Sequence, residues 1–461
     1  MSTDPPPVLR NLPKHDRYRH AYRCFGFFWG LGVEHETYIA TSRAREICTF
    51  DGAMRPERYS IDYYSAYKPA ELKDALVAML DAHGGKLTVP ILMNGHSLTS
   101  CDLKGEHSTT YERVPKPNPR FTKTLFEWAC EYSQWLGDEV NRVFMWDGDT
   151  VEFMTQRFYR ATVRDVIEEL ISSETRFVDE LARLPKEGII AEYGPFTIVP
   201  RNEPFATYLT NPRHVSMFNN GTIHINVTLP TWLGWDRRPL WPADFLEKHR
   251  RLARLIQWFE PLWVAAYGSA DPFSTLSTKF AGGSQRLAVS RYIGMGTFDT
   301  DTMPVGKILQ VRKDQLGPLP WYDTLLAHTA YKPLDVIGLD INYNKHWAHG
   351  LELRCFDQLP MEHLEIVLKQ VVALMDVAMS SSVDNPCRSV EWQRMAVSGL
   401  FQGGDWILEP VEINLLCSVV GVAGDVKEPA RAATVLRLIM NRIPAGFCWL
   451  RMVETHGCCS W

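Results

Sequence analysis

Between Gly30 and Ala40 the chain reads GLGVEHETYIA, an apolar and β-branched run broken by two glutamates flanking a histidine. Side chains alternate faces along a strand, so Glu34 and Glu36 share one face while Val33 and His35 share the other. Like charges two residues apart on one face repel, and burying them is costly. Either that face is solvated or something positive sits on it. The same period of two recurs at 221–229, GTIHINVTL, which sets Thr222, His224, Asn226 and Thr228 against Ile223, Ile225, Val227 and Leu229. It recurs at 349–357, HGLELRCFD, where Glu352 and Arg354 oppose Leu351, Leu353 and Cys355.

Other segments fill in the chain. Residues 25–40 are expected as one or two strands and 59–67 (YSIDYYSAY) as another; 335–343 is expected to form a hairpin with 349–357 through the polar turn NKHWAH. Helical spacing begins where Pro69 opens a run with Leu72, Ala75, Leu76, Met79 and Leu80 on one face, stopped at Gly84–Gly85. Further helices are predicted over about 121–136, 163–183, 243–267 and 361–380. The polar stretch from Asn94 to Arg120 reads as a long loop, the kind that carries function or stays disordered, and 383–461 as a mixed region. Strands come in hairpins rather than in regular βαβ alternation, which predicts an α+β fold with an antiparallel sheet.

Composition narrows the partners. The 461 residues are 45% hydrophobic and 22% charged, enough to bury a large core. The net charge of −5 and the scattered basic residues give no nucleic-acid footprint. The longest apolar segment, LIQWFEPLWVAAYG, is short and interrupted by Glu260–Pro261, which argues against a membrane span. The first twenty residues are polar and Pro-rich and are expected as a flexible arm rather than a secretory signal. Ten cysteines without regular spacing suggest reduced thiols and a cytoplasmic location.

Each of the three polar strand faces alone fits an ordinary solvated sheet face, and His224 alone fits a hydrogen-bonded structural histidine. Together, carboxylates, one imidazole and an arginine two residues from a carboxylate suit Mg²⁺ or Mn²⁺ holding a nucleoside triphosphate. The arginine suits charge developing on a phosphoryl group.

The order Glu-x-Glu, Asn-Gly-x-x-His, Glu-x-Arg resembles the glutamine synthetase and glutamate–cysteine ligase superfamily, especially its carboxylate–amine ligases (amidoligases). NNGTIHINV is similar to that family's Asn-Gly-x-x-His-x-His strand, and AAYGSADPF followed by SQRLAVSRY to its Ser-x-x-Pro-Phe segment and downstream Ser/Arg pair. GLELRCFDQLP is similar to its Glu-x-Arg-x-x-Asp strand end, and SVEWQRMAVSGL resembles the helix that follows. The resemblance implies a curved, mainly antiparallel catalytic sheet with helices packed on its outer face. The catalytic domain would occupy 21–382, with an insertion around 100–220, and a C-terminal helical region, 383–461, would pack on it. It places metal ligands at Glu34, Glu36, Asp62, His224 and Glu352, for two or three ions. Arg354 then takes the position that contacts the transferred phosphate, and Arg291 a phosphate or substrate contact. Asn226, where many members have a second histidine, and Arg286 fall among the cofactor contacts. Glu106 and Glu112 are secondary ligand candidates.

The function so implied is an ATP-dependent ligase. A small-molecule or peptide carboxylate attacks ATP to give an acyl phosphate, and an amine displaces phosphate to leave an amide. A guanidino kinase-like phosphotransferase on the same architecture is the alternative, and an inactive nucleotide binder is the third reading. A homo-oligomer is compatible with all three.

Overall fold

A computed structural model describes residues 26–48, 68–93, 98–99, 123–147, 150–210, 221–234, 239–289, 300–301, 311–312, 329–330, 336–337 and 350–444. Asp62, Arg291, Glu106, Glu112, the expected N-terminal arm and the 59–67 strand lie outside these residues.

Twelve strands are described. β1 (Gly26–Thr37) and β2 (Ile39–Ile47) follow each other, then β3 (Leu87–Met93), β4 (Phe144–Asp147), β5 (Thr150–Met154), β6 (Phe196–Ile198) and β7 (Thr222–Leu233). The remainder are β8 (Val311–Arg312), β9 (Val336–Ile337), β10 (Leu351–Asp357), β11 (Ile407–Leu408) and β12 (Ala430–Arg431). The principal helices are α1 (Pro69–Ala82), α2 (Val163–Ala182), α3 (Pro242–Tyr267), α4 (Met361–Ser380), α5 (Val390–Gln402) and α6 (Ala432–Arg442).

The strands do not form the single curved sheet of the glutamine synthetase and glutamate–cysteine ligase type. They pair antiparallel, but in separate small sheets with helices packed among them: a five-stranded sheet in the order β10-β7-β1-β5-β4, a three-stranded sheet β3-β2-β6, and the pairs β8-β9 and β11-β12. Two local events divide them. The chain leaves the extended ladder for one residue at Tyr38, and β2 then pairs with β3 and β6 instead of continuing beside β7. The expected hairpin of 335–343 with 349–357 is likewise not formed by the described residues, because β9 pairs with β8 whereas β10 pairs with β7.

Helix prediction from periodicity does better, because the apolar stripes are long. α1 begins at Pro69, where the missing N–H costs nothing, and Glu71 reaches back to the Lys68 N–H at 2.7 Å. α2 is capped by Thr162, which accepts from the Asp165 N–H while the Asp165 carboxylate accepts from the Thr162 N–H. The single helix expected over 121–136 is two, Leu125–Tyr132 and Gln134–Glu139, because Ser133 has an extended backbone and caps the second.

The apolar face of the five-stranded sheet (Val33, Phe153, Ile223, Ile225, Leu353) is buried, and α2, α3 and α4 contact this sheet. Phe153 meets Phe177 of α2 edge-on at 5.2 Å, and Phe356 meets Trp263 of α3 at 5.5 Å. α3 runs through the core despite carrying Pro261, which has no N–H for the carbonyl of Gln257 one turn earlier. The Trp392 indole N–H of α5 donates to that carbonyl at 2.7 Å. Gly399 allows the approach, since a Cβ there would lie 2.5 Å from the Pro261 carbonyl oxygen. Trp392→Phe, which removes the donor and leaves a smaller ring in a fully buried site, is expected to destabilise the protein by about 3 kcal/mol or more, the cost of an unmet buried acceptor with lost packing added. Urea unfolding of the two proteins checks it. Among the described residues no helix is long and apolar enough to cross a membrane.

Candidate metal centre

The opposite face of the five-stranded sheet carries the polar residues, and the register decides which of them meet. Glu34 pairs with His224, Glu36 with Thr222 on one side and Glu152 on the other, and Glu352 with Asn226. Directly paired residues in an antiparallel sheet project to the same side. Glu34, Glu36, Glu152, Thr222, His224, Asn226, Glu352 and Arg354 therefore share one face. His35, as its spacing predicts, lies on the other, where its Nδ1 meets Glu174 of α2 at 2.6 Å.

His224 is fully buried at the centre. Its Nδ1 lies 3.4 Å from Glu34 Oε2, 3.7 Å from Glu36 Oε1 and 3.8 Å from Glu352 Oε1. The Thr222 hydroxyl donates to Glu36 Oε2 at 2.9 Å and lies 3.2 Å from His224 Nε2. Asn226 donates its amide to Glu34 Oε1 at 3.2 Å, while its own buried Oδ1 accepts no hydrogen bond among the described residues. Arg354 donates to Glu352 Oε1 at 3.3 Å.

Two groups of residues have ligand atoms close enough to share an ion: Glu34, His224 and Glu352, and separately Glu36, Asp147 and Glu152, with all atoms in each group within 4.8 Å. Opposite ligands of a Mg²⁺-sized ion lie about 4.2 Å apart, twice the usual metal–oxygen distance. The residues fit a divalent cation on three counts. Carboxylates crowd around one imidazole in a buried setting, where an added positive charge offsets their repulsion. Asn226 Oδ1 is a buried acceptor with no donor among the described residues. The second group is all oxygen, the donor set that suits Mg²⁺ or Mn²⁺, while the imidazole of the first admits softer metals.

Of the residues singled out in the sequence, Glu34, Glu36, His224, Asn226, Glu352 and Arg354 are thus brought together. Arg286 sits beneath β10: its Nη1 donates to the backbone carbonyls of Arg354 at 3.3 Å and Phe356 at 3.4 Å. These flank the irregularity where β10 slips against β7 between Leu353 and Phe356. The guanidinium thus binds backbone where the ladder is broken, and holds the segment that presents Arg354. Asp147 and Glu152 were not singled out. Their signal was the stretch WDGDTVEF, whose Asp-Gly step between alternating residues marks a tight hairpin. The register of β5 on β1 sets Glu152 opposite Glu36, and that of β4 on β5 sets Met145 opposite Glu152, so that Asp147, two residues on, shares their face.

Burial alone would push the Glu36 carboxyl up. The His224 imidazole, the Arg286 and Arg354 guanidinium groups and the Thr222 hydroxyl together outweigh it and hold the group below the ordinary carboxylate range. Asp147 moves the other way, pushed up first by burial and then by the charge of Glu36. A depressed carboxyl contributes stability above its unfolded pKa and loses it as pH falls through its folded value. In chelator-treated protein, Glu36→Gln is therefore expected to lower the thermal midpoint above the ordinary glutamate range. The difference from wild type should shrink progressively as the pH is lowered, and a midpoint series across pH 3 to 7, on the order of ten points, reads it.

No family model and no solved structure matches the chain. The uncharacterized protein R704 of Acanthamoeba polyphaga mimivirus is 34% identical over 423 residues, which cover 89% of this chain and 74% of that protein. At that identity and coverage, the chain belongs to the same protein family as R704 of mimivirus.

Proposed function

We propose that this protein is a divalent-metal- and ATP-dependent carboxylate–amine ligase. One observation carries the reading: two groups of metal-ligating side chains share one sheet face, with Arg354 bonded to a ligand of one of them. The ordered strand motifs support the same reading, independently of the shape of the sheet. Bound Mg²⁺ or Mn²⁺ would neutralise the phosphates of ATP. Glu34, His224 and Glu352 would hold one ion, and Glu36, Asp147 and Glu152 another. The chain's own part is positioning. Thr222 orients Glu36 and His224, Asn226 orients Glu34, and Arg286 fixes the backbone of β10. Arg354 supplies a guanidinium for charge developing on a transferred phosphoryl group. The overall change joins a carboxylate and an amine as an amide while ATP becomes ADP and inorganic phosphate.

The test incubates the protein with ATP, Mg²⁺ or Mn²⁺ and panels of amino acids and peptides, following phosphate release and condensed products by mass. Phosphate release that needs both a carboxylate and an amine is the expected result. A stable phosphorylated product without phosphate release would make the protein a phosphotransferase instead, and no metal-dependent turnover on any panel would remove the reading.

A further inference from the structure

Asn226 is bonded along one edge of its amide only. The residue is 4% exposed, and its N–H donates to Glu34 Oε1 at 3.2 Å. The other edge, Oδ1, is buried and accepts no hydrogen bond among the described residues. Turning the amide over does not relieve this. It would set Oδ1 against a carboxylate oxygen and leave the N–H groups without an acceptor instead. Buried acceptors in folded proteins are nearly all met, and one that is not carries a cost.

The surroundings narrow what can meet that oxygen. Asn226 stands on β7 with Glu352 in register on the β10 side and Gly32 in register on the β1 side. Gly32 offers no side chain, and the Phe158 ring lies over it, since a Cβ there would come 3.0 Å from Phe158 Cδ2. Phe158 is itself buried, so that side of the site is closed with carbon. Two residues back along β7, His224 lies 3.4 Å through Nδ1 from the other oxygen of Glu34. The side chains that flank Asn226 toward the centre are thus those of Glu34, Glu352 and His224, the first of the two ligand groups. Carboxylates only accept, so neither glutamate can serve Oδ1. A divalent ion can, because it takes an asparagine carbonyl oxygen as well as a carboxylate. A neutral ligand also suits the charge balance. Two carboxylates already match the ion, and an acid at this position would add to the repulsion among Glu34, Glu36 and Glu352 whenever the ion is absent.

We infer that Asn226 Oδ1 is a further protein ligand of the ion held by Glu34, His224 and Glu352, an inference that rests on the metal-dependent reading above. The one side chain then serves twice: its N–H steadies Glu34 and its carbonyl takes the ion. The test titrates Mn²⁺ into the whole protein and into Asn226→Ala and Asn226→Asp, reading the free ion by its electron-spin signal. Wild type is expected to take up Mn²⁺ at two sites, one for each ligand group. Asn226→Ala is expected to lose about tenfold or more in affinity at one of them. Asn226→Asp keeps an oxygen at that position and is expected to match or exceed the wild-type affinity. A residue that only steadied Glu34 would behave otherwise, because aspartate lacks the N–H and sets a like charge beside that glutamate. Equal losses in the two variants therefore overturn the inference, and so does an unchanged affinity in Asn226→Ala. A second readout needs no variant. In wild-type protein with isotope-labelled carbon at the asparagine side-chain amides, electron–nuclear double resonance of bound Mn²⁺ is expected to show a coupled carbon. Its absence overturns the inference even where a variant fails to fold. Wild type that binds no Mn²⁺ is a different failure: it removes the metal-dependent reading, and this ligand goes with it.

Discussion

Glu352→Gln is expected to lower Mn²⁺ affinity at one of two sites by about a hundredfold or more, since even residues that only orient metal ligands cost tenfold to a hundredfold when lost. Glu352 is 2% exposed, and its Oε1 faces both His224 Nδ1 and the Arg354 guanidinium. The amide keeps the volume and one acceptor but removes the charge a divalent ion needs. The second group, Glu36, Asp147 and Glu152, does not contain this residue and should keep most of its affinity. Titration of the two proteins, read by the electron-spin signal of free Mn²⁺, separates the sites. Equal affinity at both sites in the variant would exclude Glu352 as a ligand.

Arg354→Lys is expected to reduce kcat by about a hundredfold to a thousandfold, the usual cost of losing one donor aimed at transition-state charge, with a smaller rise in the KM for ATP. The guanidinium is a planar fork whose Nη1 already engages Glu352, and a lysine ammonium replaces it only as a point charge. Arg286→Lys should show the weaker form of the same defect, since it loosens the backbone that carries Arg354 rather than the charge itself. Steady-state kinetics with varied ATP give the comparison, and an unchanged kcat for Arg354→Lys would take that residue out of the chemistry.

The alternation along β1, β7 and β10 made much of the centre legible in the sequence. Period two places Glu34, Glu36, His224, Asn226, Glu352 and Arg354 on polar faces, and the register brings those faces together. Glu152 was hidden because a single acid between Val151 and Phe153 looks like any half-solvated strand until its partner is known. The sheet arrangement was less legible, for a related reason. Local pattern says that a segment is extended, but not which edge it joins, and one non-strand residue at Tyr38 was enough to send β2 into another sheet. Helices fared better because their hydrogen bonds are internal. α3 is the instructive case: the helix was expected to run through Pro261, and the donor from Trp392, 135 residues away, meets the carbonyl that the proline leaves without an N–H.

The metal face is gathered from strands far apart in the chain, with Glu34 and His224 separated by 190 residues. Closing loops of that length adds little to the equilibrium cost, because the entropy grows only with the logarithm of length, but it delays the contacts that depend on it. The candidate ligands therefore come together late in folding, and an ion that binds them would meet them only in the finished sheet. Such an ion would act as a latch: at a hundred times its dissociation constant it would add about 2.7 kcal/mol to the native state. A nascent chain that has not yet delivered β10 has no complete site to latch, so metal would favour whole molecules over fragments and slow their unfolding once assembled.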